Sequence, residues 1–374
     1  MNRIPLVDLK AQYAAHRDEF DAAVKECIEN TAFIGGPAHK GFSEAFADYC
    51  GGGHVTLCGN GTDAIYLAIV ELMGFGEQGQ EIITVPNTFI ATTEAIIRAG
   101  YTPVFVDVSP DTLLMNPELL ENAISPKTKG ILPVHLFGQM APMDHIMAIA
   151  DNNGLIVIED AAQAHGARWQ GKGPGQWGHA ATFSFYPGKN LGAWGDGGAV
   201  FTQDQSLAER MTMHANHGRK GKYLHEAYGV NSRLDGLQAA VLSAKLPHMQ
   251  TWTAKRRSVA AKYSDLLSDV SEFVLPETRQ DAEHVFHLYV VRLNDRDRIL
   301  NGLHERGIGA GVHYPVPLHE QPAYASMNIP AEALPVASDA AKRQLSLPMF
   351  PELTDEQIIT VVDALKELVG ETDA

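Results

Sequence analysis

Cysteine is scarce in this 374-residue chain, with three in all. Cys27, Cys50 and Cys58 form no C-x-x-C pair and leave one thiol over, which removes a disulfide framework and a thiolate metal site. Reduced thiols packed as small hydrophobes are expected, and no metal site. Positive charge is short as well: 29 Lys and Arg against 45 Asp and Glu leave a formal net charge of −16 at pH 7. That balance excludes the basic face a nucleic-acid partner requires. No apolar run reaches bilayer length, and the opening "MNRIPLVDLKAQY" lacks the basic, apolar and small-residue regions of a secretory signal. A cytoplasmic protein without a membrane partner is therefore expected. Internal repeats and low-complexity segments are also missing.

What remains is an ordinary globular composition, 45% hydrophobic and 20% charged, long enough for one large or two medium domains. From residue 55 to about 202, short β-rich runs alternate with helical patterns: "VTLC", "EIITV", "PVFVDV", "GILPVHLF", "GLIVIED", "ATFSF" and "GGAVF". Several are apolar on both faces, as strands covered by helices on each side must be. The pattern predicts an α/β fold with a doubly wound, mainly parallel sheet and room for one reversed strand. Ahead of it, residues 14–30 read as an amphipathic helix, followed by the "FIGGP" turn and a second helix to Tyr49. Beyond it, a helical region from Asp235 to Ser268 leads to "HVFHLYVVRL", which reads as a strand, and then to mixed α/β sequence. The expected division is an N-terminal helical segment, 1–50, packing with the small domain and a partner subunit; a large domain, 51–245; and a smaller C-terminal α/β domain, 246–374.

Three stretches carry chemistry. "FSFYPGKNLGAWGDGG" puts Lys189 on a glycine-rich turn after a predicted strand. A P-loop would need glycine at Phe183 and Ser or Thr at Asn190, so Lys189 is not a P-loop lysine. "CGNGTDA" satisfies G-x-G-x-x-G/A through Gly59, Gly61 and Ala64, but the acid that should end the second strand is absent; the nearest, Glu81, opens one. Gly61 and Thr62 instead read as a helix N-terminus able to hold one phosphate, or simply as a helix cap. In "GLIVIEDAAQAHGA" a buried strand ends at Asp160, on the sheet edge where open α/β folds bind ligands. A basic stretch, "HANHGRKGKYLH", gathers Arg219, Lys220 and Lys222, and reads as an anion seat or a solvated loop.

A phosphate cradle, a strand-end acid and a lysine on a later turn are together what pyridoxal 5′-phosphate requires. Lys189 would form the Schiff base, Asp160 would keep the ring nitrogen protonated, and Phe89 of "VPNTFIATTEA" is placed to cover the ring.

The chain resembles the DegT/DnrJ/EryC1/StrS sugar aminotransferases, fold-type-I enzymes that use pyridoxal phosphate. The resemblance runs through "IPLVDLKAQY", "NGTDA", "VPNTFIAT", "VIEDAAQAHGA", "FSFYPGKNLGAWGDGGA", "GVNSRLDGLQAA", "GVHYPVPLHEQPAY" and "LSLP", nearly the whole chain. It implies that Lys189 bonds the cofactor, Asp160 pairs with the pyridine nitrogen, Gln163 contacts the ring hydroxyl and Phe89 stacks on the ring. It further implies that Gly61, Thr62 and Ser184 hold the phosphate, with Asn231 reaching in from a second subunit, so that a homodimer with shared sites is required. Arg233, His313 and Tyr314, also from the partner subunit, would face a nucleotide-linked keto sugar, and Arg219, Lys220, Lys222 and Tyr223 would seat its diphosphate. The implied reaction moves an amino group from L-glutamate, leaving 2-oxoglutarate, to that keto group, in making amino sugars for surface polysaccharide or glycosylated products. Relatives with histidine in place of the lysine are dehydratases, so Lys189 favours amino transfer. The resemblance points to a C3 ketone on a dTDP- or UDP-linked sugar, with C4 as the runner-up. A regulatory cofactor-binding protein and a dinucleotide-dependent oxidoreductase stand as alternatives of other classes.

Overall fold

A computed structural model describes residues 3–370. Three helices lead the chain: α1 (Leu9–Ala15), α2 (Arg17–Glu29) and α3 (Gly36–Tyr49). The corner between the first two is His16, whose backbone leaves helical geometry (φ −131°, ψ 22°) and splits the expected helix over 14–30. The chain then alternates β1 (His54–Cys58), α4 (Gly61–Met73), β2 (Glu81–Thr84), α5 (Ala91–Arg98), β3 (Thr102–Phe105), α6 (Pro117–Ala123), β4 (Thr128–Ile131), α7 (Met143–Asn153) and β5 (Ile156–Asp160). It continues through the two-residue β6 (Arg168–Trp169), β7 (Ala180–Ser184), β8 (Gly198–Thr202), α8 (Gln205–Ala215) and α9 (Gly236–Lys245). The C-terminal part holds α10 (Met249–Leu267), β9 (Ala282–Glu283), β10 (Tyr289–Arg292), α11 (Arg296–Glu305), α12 (Pro335–Arg343), β11 (Gln344–Leu347) and α13 (Asp355–Gly370).

The seven-stranded central sheet has the order β1-β8-β7-β5-β4-β2-β3, parallel except for β8, which runs against both neighbours. This is the doubly wound sheet with one reversed strand. Its strands are apolar on both faces because helices cover both; all five residues of β8 are buried. Helix α4 is buried continuously from Ala64 to Val70, which explains why "AIYLAIV" carries no polar stripe. Parallel strands all end at one edge, so β1, β2, β5 and β7 deliver Cys58, Thr84, Asp160 and Ser184 to the same side. Glu81, by contrast, stands at the opposite edge, where it accepts a hydrogen bond from Ser125 Oγ at 2.5 Å; it serves no ribose.

The reversed strand shapes the ligand edge. Gly198 lies between Cys58 and Ser184 in register, and a Cβ there would come within 2.3 Å of the Asn60 carbonyl oxygen. Only glycine lets the start of α4 settle onto the sheet.

Two cores form. The larger one fills the space around the central sheet and includes Phe20, Phe42 and Phe46 of the N-terminal helices, as well as Val285, Leu288 and Ala337 from the C-terminal part. The smaller core surrounds the antiparallel β10–β11 pair and takes in Tyr263, Leu303 and Leu365, together with Ile4 from the N-terminus. Segment 1–50 thus feeds both cores. "HVFHLYVVRL" is a strand only over Tyr289–Arg292. The half before it is drawn across the domain seam: Val285 N–H donates to Gly138, and buried Arg256 donates to the Phe286 and His287 carbonyls.

Candidate active site

Asp160 is buried at the end of β5, in the middle of the sheet. Its Oδ2 accepts from Thr92 Oγ1 at 2.8 Å and its Oδ1 from the Ala162 N–H at 3.1 Å. Burial pushes its pKa upward, while these two donors and the charge of Lys189 work the other way. Thr92 comes from the first turn of α5, directly after the loop that carries Phe89.

Lys189 sits on the turn after β7, where its N–H donates to the Tyr186 carbonyl at 2.8 Å. The turn is fixed from several sides. Asn190 donates to the Val285 carbonyl at 3.1 Å and meets His287 Nδ1 at 3.2 Å. From α9, Gln238 Oε1 accepts from the Trp194 N–H at 2.7 Å, and Lys245 Nζ donates to the Gly192 carbonyl at 2.7 Å. Burial lowers the Lys189 pKa to about 8, opposed by the Asp160 carboxylate. Three imidazoles feel its charge: His165, lowered to about 3, His313, to about 4, and His287, well below its ordinary value, each chiefly through burial. All three are neutral at pH 7, so none brings a second positive charge to the lysine.

At the other end, α4 begins with Gly61 and Thr62, whose N–H groups have no intrahelical acceptors. A Cβ on Gly61 would lie 2.8 Å from Ser184 Cβ, so helix start and strand end form one concave cradle. Asp63, which would repel an anion there, is occupied by Arg98 at 2.5 Å, by Ser232 Oγ at 2.6 Å and by Asn60 Nδ2 at 3.2 Å. Ser232 also accepts from the Gly59 N–H at 3.0 Å.

Phe89 is 54% exposed, an open aromatic face at the site, and its ring lies 5.7 Å from that of Tyr314. Gln163 is buried and pinned at both ends: Oε1 accepts from the Phe137 N–H at 2.6 Å, and Nε2 donates to the Tyr314 hydroxyl at 3.2 Å. His313 Nδ1 meets Ser346 Oγ at 2.8 Å. His313 and Tyr314 were expected from a partner subunit, and the structure corrects this. Tyr314 contacts Phe89 and Gln163 of its own chain, and His313 lies within electrostatic reach of its own Lys189.

The remaining expected residues lie apart. Lys220 faces Glu226 at 3.8 Å, the Lys222 ammonium stands 5.3 Å above the Tyr223 ring, and Tyr223 is 82% exposed. Asn231 is exposed and pairs through its backbone with Asn216, to whose side chain Arg233 donates at 3.4 Å. Among the described residues no hydrogen bond or ion pair joins Arg219, Lys220, Tyr223, Asn231 or Arg233 to Lys189, Asp160, Gln163 or Phe89. Sequence reading missed Thr92, Ser232, His165 and His287 as neighbours of the site. The first two are small hydroxyl residues without a spacing signal, and the histidines sit in quoted motifs but have no partner adjacent in sequence.

These residues fit pyridoxal phosphate. A cradle lacking a Cβ would take the phosphate, a buried carboxylate with two fixed donors would take the ring nitrogen, Phe89 would offer a face, and Lys189 would supply an amine of lowered pKa.

Comparison with known proteins agrees. The chain is 47% identical to a pleiotropic regulatory protein of Geobacillus stearothermophilus, over 97% of this chain and 98% of the relative. It is 44% identical to a dTDP-3-amino-3,4,6-trideoxy-alpha-D-glucose transaminase of Streptomyces venezuelae, over 99% and 97%. With a UDP-N-acetyl-3-dehydro-alpha-D-glucosamine 3-aminotransferase of Acidithiobacillus ferrooxidans it shares 42% identity, over 97% of each. The solved structure of S. venezuelae DesV in complex with a ketimine intermediate superposes with a TM-score of 0.96 at 44% identity, covering all of both chains. The model of the DegT/DnrJ/EryC1/StrS aminotransferase family matches residues 14–366, and the chain belongs to that family.

Proposed function

We propose that this chain is a pyridoxal-phosphate-dependent aminotransferase that carries the amino group of L-glutamate to the C3 ketone of a nucleotide-linked sugar. The observation that carries the reading is the buried electrostatic pair of Lys189 and Asp160, flanked by the glycine cradle and the open face of Phe89. When bound, pyridoxal phosphate supplies a ring that withdraws electrons from the carbon losing its proton. Asp160 would hold positive charge on the ring nitrogen; Thr92 and the Ala162 N–H favour its ionised form against the burial that raises its pKa. Lys189 Nζ would be the group that takes the proton from the amino-bearing carbon of glutamate and later gives it back, and it would serve the keto sugar in the reverse sense. Its lowered pKa suits a group that must be base and acid in turn. Gln163, fixed by Phe137 and Tyr314, would contact the ring hydroxyl, and Phe89 would cover the ring.

The reading includes a cytoplasmic homodimer in which Asn231, Arg233 and the loop of Arg219, Lys220 and Tyr223 serve the partner's site. The separation of these residues from their own Lys189 supports it. A dTDP- or UDP-linked sugar follows the names of the relatives, and the product would enter a surface polysaccharide or glycosylated compound. A purely regulatory role is disfavoured by the complete catalytic constellation.

The test is spectroscopic. The visible band of the cofactor-loaded protein should bleach on adding L-glutamate and return with a 3-keto nucleotide sugar. Return with 4-keto sugars alone would move the acceptor to C4, and the absence of any glutamate response would overturn the assignment.

A further inference from the structure

The N-terminal corner of the chain holds a second group of polar side chains that the transamination chemistry does not use. His16 is the residue that separates α1 from α2, Glu19 lies in the first turn of α2, and His248 closes the one-turn helix Leu246–His248 between α9 and α10. One donor atom from each falls within 4.8 Å of the others. Glu19 Oε2 is 2.8 Å from His248 Nε2 and 3.8 Å from His16 Nδ1. The two imidazole centroids are 4.0 Å apart, with Phe20 stacked on one and Trp252 on the other.

We propose that His16, Glu19 and His248 form a binding site for a divalent transition metal of the zinc class. Two imidazoles and a carboxylate are zinc ligands, and with a water they complete a tetrahedron whose donors stand roughly 3.3 Å apart at bonds of about 2.0–2.1 Å. The observed separations bracket that value, so closure needs only small side-chain shifts. His16 is the informative member. Its ring makes no hydrogen bond among the described residues, yet Nδ1 faces a carboxylate oxygen too distant to bond directly. A cation between them satisfies both. The nearby positive charge is Lys255, on α10. His16 and Glu19 stand at the start of α2 and His248 just before α10, so the metal would tie the α1–α2 corner to the start of α10. The seam continues through Phe20 to Trp194 of the catalytic turn, 6.1 Å between rings.

The test uses the cofactor-loaded, chelator-stripped enzyme titrated calorimetrically with Zn(II), and separately with Mg(II). One Zn(II) per chain, a micromolar or tighter Kd, a raised Tm and no Mg(II) binding are expected. His16→Gln, Glu19→Gln and His248→Gln should each weaken Zn(II) at least tenfold while the cofactor band and circular dichroism stay as in the parent. Co(II) loaded into the unaltered enzyme should show the intense visible bands of tetrahedral coordination, reversed by chelator, a readout that needs no variant to fold. Absence of Zn(II) binding, or equal binding by the His16→Gln/His248→Gln double variant, would overturn the site.

Discussion

Lys245 Nζ donates to the carbonyl of Gly192, three residues beyond Lys189 in the same turn, with the rings of Phe20 and Trp194 within 6 Å of the ammonium. A buried cation on α9 thus holds the catalytic turn, and its burial lowers its pKa from 10.5 to about 8. Because the folded value is depressed, the unfolded chain binds a proton that the native one lacks between pH 8 and 10.5, so this group's contribution to stability rises across that window. Below pH 8 both states hold the proton and the native state bears the full cost, at most about 3 kcal/mol before the hydrogen bond offsets it. Lys245→Met should therefore lose ground to the parent as pH rises from 7.5 to 10 in urea denaturation, and its turnover should fall about tenfold as the turn loosens. A stability gap independent of pH would show that the charge is not the cause.

Lys189→Ala should fold, keep its oligomeric state and lose turnover by at least about 10³-fold, the scale of a missing general base and nucleophile. The pKa adds a sharper expectation for the unaltered chain. Only the neutral amine attacks the cofactor aldehyde, so the rate at which apoprotein captures pyridoxal phosphate should climb with pH and bend near 8, not near the 10.5 of free lysine. Stopped-flow absorbance at several pH values measures this directly.

The hydroxyl of Thr92 is one of two donors that favour the ionised form of Asp160 against its burial. Thr92→Val removes it and lets burial drive the carboxyl pKa higher. The activity limb set by Asp160 should move toward higher pH, with kcat at neutral pH down about tenfold for one lost charge-assisted bond. Asp160→Asn should cost more, at least about 10²-fold, at every pH. A pH–rate profile for Thr92→Val that superimposes on the parent's would remove Thr92 from the chemistry.

Gly61→Ala places a methyl 2.8 Å from Ser184 Cβ and must push α4 off the sheet edge. Pyridoxal phosphate should bind at least tenfold more weakly by fluorescence titration, while free pyridoxal, which has no phosphate to seat, is affected far less.

The placement of Asp160 at a strand end, and of Gly61 and Lys189 on the turns that follow β1 and β7, was legible in the sequence because buried parallel strands announce themselves as apolar runs. Room for one reversed strand was read from the sequence, but not which; it is "GGAVF", β8. Legibility failed where the signal is three-dimensional. Thr92 reaches Asp160 across 68 residues, and no spacing rule links a threonine to an acid so far away. His165 and His287 come within electrostatic reach of Lys189 from segments far from it in sequence, and an imidazole in an apolar stretch does not declare its neighbour. The chain from which His313 and Tyr314 come was misjudged for a related reason: sequence carries no mark that distinguishes a loop folding back from a loop crossing over. The helix expected over 235–268 breaks at Leu246–His248, where Pro247 removes a backbone donor.

Strand β5 ends in two acids that differ in fate because adjacent side chains point to opposite faces. Glu159 is satisfied entirely by the protein, by His135 at 2.8 Å and by the Gly175 and Gly178 N–H groups at 2.8 Å each, whereas Asp160 is turned toward Lys189. A slip of one residue in the pairing of this strand would exchange them, stranding three donors and presenting the wrong carboxylate to the lysine. Correct alignment of the central strand is therefore checked twice, once by folding and once by chemistry, and a misregistered chain could be neither stable nor active.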